Sequence, residues 1–209
     1  RYQDIGDAYT LGYRPNREVY RKEFVANLVS VDVALSIEKT ADYRAFVAAG
    51  MLEDGRLLTL DVVNERNRAE DIGHRLDQFC QRWRPMVVCS DDDLLSKAML
   101  LEYRRWPNIP EVRLMPLGGQ NKLVRSTEAI VLAENGRFLL PEFTEGRKPE
   151  WFDPFCDQLS SFTGVKDPYD DMVDCTSQYI AWSFSRDRKQ LFAKAMANVK
   201  NKLSGYTSY

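Results

Sequence analysis

An aspartate inside a run of strand-forming apolar residues constrains this chain more than any other feature. Asp32 lies within Leu28-Val29-Ser30-Val31-Asp32-Val33-Ala34-Leu35, whose length and β-branched residues read as a buried strand. A charged carboxylate left unpaired there costs roughly several kcal/mol, so something must compensate it. Two further acidic clusters are spaced as the ends of successive α/β elements would space them. They are Asp91-Asp92-Asp93 after Met86-Val87-Val88-Cys89, and Asp170-Asp171 with Asp174 at the start of the last helical pattern. A divalent cation shared by the clusters would supply the compensation. Hard cations such as Mg²⁺ take carboxylate oxygens and keep positions open for water and phosphate, which points to phosphodiester chemistry.

The rest of the chain is compatible with a globular domain. Its 209 residues are 44% hydrophobic and 29% charged, with no repeat, low-complexity tract or signal-peptide pattern. The longest apolar stretch, Ala26 to Leu35, is too short and too polar to span a membrane. A start at Arg1 rather than Met reads as a fragment or processed form. Cys80, Cys89, Cys156 and Cys175 show no CxxC pairing and read as buried free thiols in a reducing compartment, not a zinc site. His74, the single histidine, sits between Ile72 and Leu76 on a helical pattern and reads as structural or surface. A net charge of −2 does not advertise a nucleic-acid binder, but from Ser185 to Tyr209 six basic residues face Asp187 alone. A solvated helix end is the default account of that run, and docking to DNA or a protein the alternative.

Residues 1–23 are polar, contain Gly6, Gly12 and Pro15, and are expected to form an irregular lead-in or linker. Leu28 to Leu35, Tyr43 to Leu52 and Leu57 to Val63 are strand-like, the last two separated by the hairpin signal Asp54-Gly55. Ala69, Ile72, Leu76, Phe79, Cys80 and Trp83 then fall at helical steps until Pro85. A strand over Met86 to Cys89, a helix over Leu94 to Trp106 and a strand over Val112 to Met115 follow. A helix from Lys122 to Glu134, a short strand at Phe138 to Leu140, a helix about Trp151 to Phe162 and a last helix from Asp170 complete the order. The string β-β-β-α-β-α-β-α predicts an α/β fold: a mixed sheet of five or more strands with helices on both faces. Its first strand is central beside the fourth, making Asp32 and Asp91 neighbours.

This order is that of the ribonuclease H-like fold, and the motifs resemble the nuclease domain of the large terminase subunit of tailed bacteriophages and herpesviruses. The resemblance covers Phe24 to Phe184, leaving 185–209 as a basic helix or tail. It rests on Val31-Asp32-Val33-Ala34, Asp42, the Asp54-Gly55-Arg56 hairpin leading to Leu60-Asp61-Val62, and the acid after Val87-Val88. Gly119-Gln120-Asn121-Lys122-Leu123-Val124-Arg125, similar to the family's Gly-x-Asp-Lys-Val-x-Arg, Asn135 to Pro141, and Tyr169 to Asp174 complete it. It implies Asp32 as central metal ligand, Asp91 as second carboxylate, and Asp170 or Asp171 as third, with Asp174 beside them. Many relatives carry Glu at the second position, so Asp91 is chosen from Asp91-Asp92-Asp93 by position. The resemblance further implies two Mg²⁺ ions, replaceable by Mn²⁺, and cleavage of double-stranded DNA during genome packaging in the infected cell's cytoplasm. Its partners would be the ATPase motor domain of the same protein, the portal ring and the small terminase subunit. No Gly-x-x-x-x-Gly-Lys-Ser/Thr occurs, so ATP hydrolysis by that loop is not expected.

Plainer accounts exist for each feature. Acids at helix starts are usually caps. Lys122 and Arg125 fit a solvated helix face as well as a phosphate contact, and Trp151, Phe152 and Phe155 read as core. A junction resolvase or integrase is the enzymatic alternative, and an inactive scaffold docking to DNA or the portal is the non-enzymatic one. Loss of acids would mark the scaffold, and none of the clusters is lost.

Overall fold

The computed structural model describes residues 2–4, 8–11, 18–20, 24–33, 44–65, 71–116, 122–142, 148–165, 167 and 169–185. The lead-in, expected to be irregular, holds three short strands: β1 (Tyr2–Asp4), β2 (Ala8–Leu11) and β3 (Glu18–Tyr20). They pair antiparallel in succession, and β1 also pairs in parallel with residues 141–142. Strands this short carry too little alternation to announce themselves, and β1's second partner lies far along the chain.

The central sheet begins with an antiparallel meander of β4 (Ala26–Asp32), β5 (Arg44–Met51) and β6 (Leu57–Glu65). Every residue of β5 is buried, which accounts for its nearly unbroken small-apolar run: both of its faces are covered. The β5–β6 turn follows its sequence. Gly55 adopts φ 84°, where a side chain would be strained, and the Asp54 carboxylate accepts from the Arg56 backbone N–H and Nε. Helix α1 (Ile72–Trp83) buries Ile72, Leu76, Phe79, Cys80 and Trp83 as its periodicity predicts. It ends at Arg84, whose left-handed backbone lets its N–H reach the Cys80 carbonyl. Gly73 on this helix lets the Trp106 indole pack close, because a Cβ there would collide with it unless the ring moved.

After α1, β7 (Val87–Asp91) adds to β4 in parallel. Helix α2 (Leu94–Tyr103), β8 (Val112–Met115) and α3 (Lys122–Glu134) follow. Next come β9 (Phe138–Leu139), β10 (Pro141–Glu142), α4 (Phe152–Ser161) and α5 (Asp171–Phe184). The larger sheet has the order β8-β7-β4-β5-β6-β9, with β4 and β5 at its centre; β10 belongs with β1, β2 and β3. Val29, Val31, Phe46, Ala48 and Leu58 pack on α1 from one face. Leu28, Val47, Met51, Leu57 and Cys89 pack on α5 from the other, with Phe155 of α4 beyond. All four cysteines are free, three buried and Cys156 half-buried. No helix among the described residues is long and apolar enough to cross a membrane.

Candidate active site

Asp32 ends β4 and Asp91 ends β7. The two strands run parallel and pair as far as Ser30 opposite Cys89, and Asp32 and Asp91 each lie two residues beyond that last pair. Alternation then places both side chains on the face occupied by Leu28, Val87 and Cys89, the face that α5 covers.

Helix α5 delivers the remaining acids. Asp171 and Asp174 occupy its first turn, and Asp174 is buried. Positions 171, 174, 175 and 178 follow helical spacing, so one stripe of α5 faces the strand ends. The Cys175 thiol sits in the middle of this stripe and donates to the Ala45 carbonyl at 3.3 Å. Burial, and then the negative charges of Asp32, Asp174, Asp171 and Asp91, hold that thiol well above the ordinary thiol range. One buried sulfur therefore feels four carboxylates drawn from three elements. Asp170 is not among them. It is the N-cap of α5, with its carbonyl accepting from the Asp174 N–H.

The three consecutive aspartates at the end of β7 separate by role. Asp93 caps α2, accepting from the Ser96 N–H at 2.6 Å. Asp92 is exposed and pairs with Lys97 at 2.6 Å. Asp91 alone reaches toward α5, accepting at 3.1 Å from the side-chain amide of Gln178.

Gln178 and Cys175 are the residues beside the acids that sequence reasoning missed, and Arg44 is a buried charge it did not foresee on the opposite face. Gln178 is fully buried; its Nε2 faces Asp91, whose carboxylate oxygen accepts, while Oε1 has no hydrogen-bond partner. Such an acceptor costs about 1–3 kcal/mol. The spacing from Asp171 and Asp174 was the available signal for Gln178. Arg44 is buried on β5, where burial lowers its pKa while the charges of Tyr103 and Asp71 raise it. Burial holds the Tyr103 hydroxyl well above its usual range, eased by Arg44 and reinforced by Asp32 and Asp93. No local pattern marks such a buried arginine.

Other candidates fall elsewhere. Asp61 accepts from Arg82 at 3.1 Å and the Trp83 indole at 3.0 Å, tying β6 to the end of α1. His74 is exposed, 3.0 Å from Gln78 and against Trp106. Phe155 is core, with Trp151 edge-on to it. Lys122 and Arg125 lie at the start of α3, their side chains outside the described ones; Asp42 and 186–209 also lie outside the described residues. Two wide grooves of 840 and 920 Å³ flank α4, and neither is lined by Asp32 or Asp91.

The four side chains offer only carboxylate oxygens, the donors that Mg²⁺ and Mn²⁺ prefer, so the chemistry of this donor set fits such ions. They form a strand pair and a helix pair, not a closed cage: among the described residues no three His, Cys, Asp or Glu side chains group tightly enough to hold a metal.

No protein-family model and no curated protein matches the chain. Solved structures do match by fold. The human cytomegalovirus terminase nuclease domain aligns with TM-score 0.54 and 10% identity, over 79% of this chain and 86% of that one. The large terminase nuclease from thermophilic phage G20c with bound zinc aligns with TM-score 0.54 and 16% identity, over 88% and 92%. The same nuclease with bound magnesium gives TM-score 0.52 and 16% identity, over 88% and 90%. The chain has the ribonuclease H-like fold of terminase nuclease domains.

Proposed function

We propose that this chain is a metal-dependent endonuclease, the nuclease domain of a viral DNA-packaging terminase large subunit. Its substrate on this reading is concatemeric double-stranded DNA in the infected cell's cytoplasm. It would work with the ATPase motor domain of the same protein, the portal ring and the small terminase subunit. One observation supports the reading: Asp32 and Asp91 end two neighbouring parallel strands, Asp171 and Asp174 open the helix packed over them, and the charges of all four act on the Cys175 thiol. Cohesion alone gives no reason to gather four acids over a buried face, because like charges there repel.

Divalent cations bound by such acids supply Lewis-acid charge for in-line attack of water on a phosphodiester. Asp32 and Asp91 would hold them from the strand side, and Asp171 and Asp174 from the helix side, ahead of Asp170. The apolar packing of Leu28, Val87 and Ile180 beneath keeps water from the underside of the acids. Lys122 and Arg125 are the proposed contacts to DNA phosphates.

Supercoiled plasmid incubated with the purified chain tests this. Nicked and linear products should appear with Mg²⁺ or Mn²⁺ and disappear with chelator or in Asp32→Asn. Cleavage that survives in a folded Asp32→Asn protein overturns the assignment.

A further inference from the structure

We propose that Gln178 is a positioning residue for Asp91, its buried amide fixing the orientation in which that carboxylate meets a divalent cation. This rests on the metal-dependent reading above. Gln178 lies one helical turn beyond Asp174, on the stripe of α5 that faces the strand ends. Its Nε2–H donates to Asp91 Oδ1 at 3.1 Å across 87 residues of sequence, linking the last described helix to the end of β7. Asp91 is the last residue of β7, and the Gln178 amide reaches its carboxylate from a different element. A ligating carboxylate works only when held close to its productive geometry, and hydrogen bonds from outside the ligand set commonly provide that restraint.

The alternative is that Gln178 only fills space, and its far end argues against that. Oε1 is buried with no hydrogen-bond partner. Methionine or leucine would fill the same volume and leave no acceptor stranded, so packing gives no reason for an amide here. The bond to Asp91 does.

The test is Mn²⁺ binding to the full chain without DNA, by titration calorimetry, with thermal melting as the check on folding. Gln178→Met should melt at or above the wild-type temperature and bind Mn²⁺ roughly 10–100-fold more weakly. On an Asp91→Asn background the same change should have no further effect, because Gln178 acts through Asp91. A purely structural role would instead add its loss on both backgrounds. Should Gln178→Met not fold, Gln178→Asn, whose amide is too short to reach β7, is judged by the same criteria. Mn²⁺ affinity within about twofold of wild type in the folded variant overturns the role of Gln178 while leaving the metal site standing. Absence of Mn²⁺ binding in the wild type, or undiminished binding in Asp32→Asn, overturns the metal reading and this inference with it.

Discussion

The two faces of the larger sheet follow opposite rules. Toward α1 the core is mainly apolar, built from Val29, Val31, Phe46, Leu58, Ile72, Leu76 and Phe79, with Arg44, Asp77 and Ser90 buried beside it. Nearby charges are matched: Asp77 accepts from the Asn108 backbone and side chain, and Asp61 from Arg82 and Trp83. Toward α5 the same kind of apolar layer is interrupted by buried Ser30, Thr59, Asp174, Thr176 and Gln178, and acids crowd one end. The first face contributes cohesion. The second gives some of it up to hold charge in place, so damage to the two should read out differently.

The largest expected effect is on the charged face. Asp32→Asn should lower plasmid cleavage by more than about 10³-fold, roughly 4 kcal/mol of transition-state stabilisation. Its urea midpoint should stay level or rise, because one of several mutually repelling carboxylates is gone. An unfolded Asp32→Asn protein would erase the contrast, making Asp32 as structural as Phe79. Phe79→Ala is the converse: about 3–5 kcal/mol of stability lost in urea titration, with cleavage per folded molecule retained.

Alkaline pH should weaken both faces. Cys80 on α1 is pushed up to about 12, by burial first and then by the charge of Asp77, and burial raises Cys175 too. A thiol raised in the folded state binds its proton where the unfolded chain has released it. Its contribution is therefore complete below the ordinary thiol value and is lost as pH rises toward the folded one. Each such thiol should cost about 1.4 kcal/mol per pH unit above about 9, read as a falling urea midpoint. A level midpoint would deny that the thiols are buried. The smallest effects belong to the neighbours of Asp91. Asp93→Ala should cost about 1 kcal/mol as a lost cap, and Asp92→Ala less than about 1 kcal/mol as a lost exposed ion pair. Neither should change cleavage, and loss of cleavage in Asp92→Ala would move the site off Asp91.

Elements whose instructions are local were legible in the sequence. The strand at Val112–Met115 and the helix at Lys122–Glu134 lie where their periodicity puts them, and the Asp54-Gly55 turn forms as written. The acids were legible as candidates because charge inside apolar runs is conspicuous. What separates Asp91 from Asp92 and Asp93 is not local, since it depends on which way the chain turns into α2 and on an amide arriving from α5. The strands before β4 were hidden for the same reason, being defined by partners and not by pattern.

The parallel register of β4 and β7 also sets an order in time. A ribosome releases the chain from its amino end, and the β4–β5–β6 meander can pair early because its contacts are short in sequence. Asp32 gains Asp91 only when β7 has crossed back beside it, and both gain Asp171 and Asp174 only when α5, the last described helix, has emerged and docked. A half-made chain can thus be partly folded yet unable to gather its four acids.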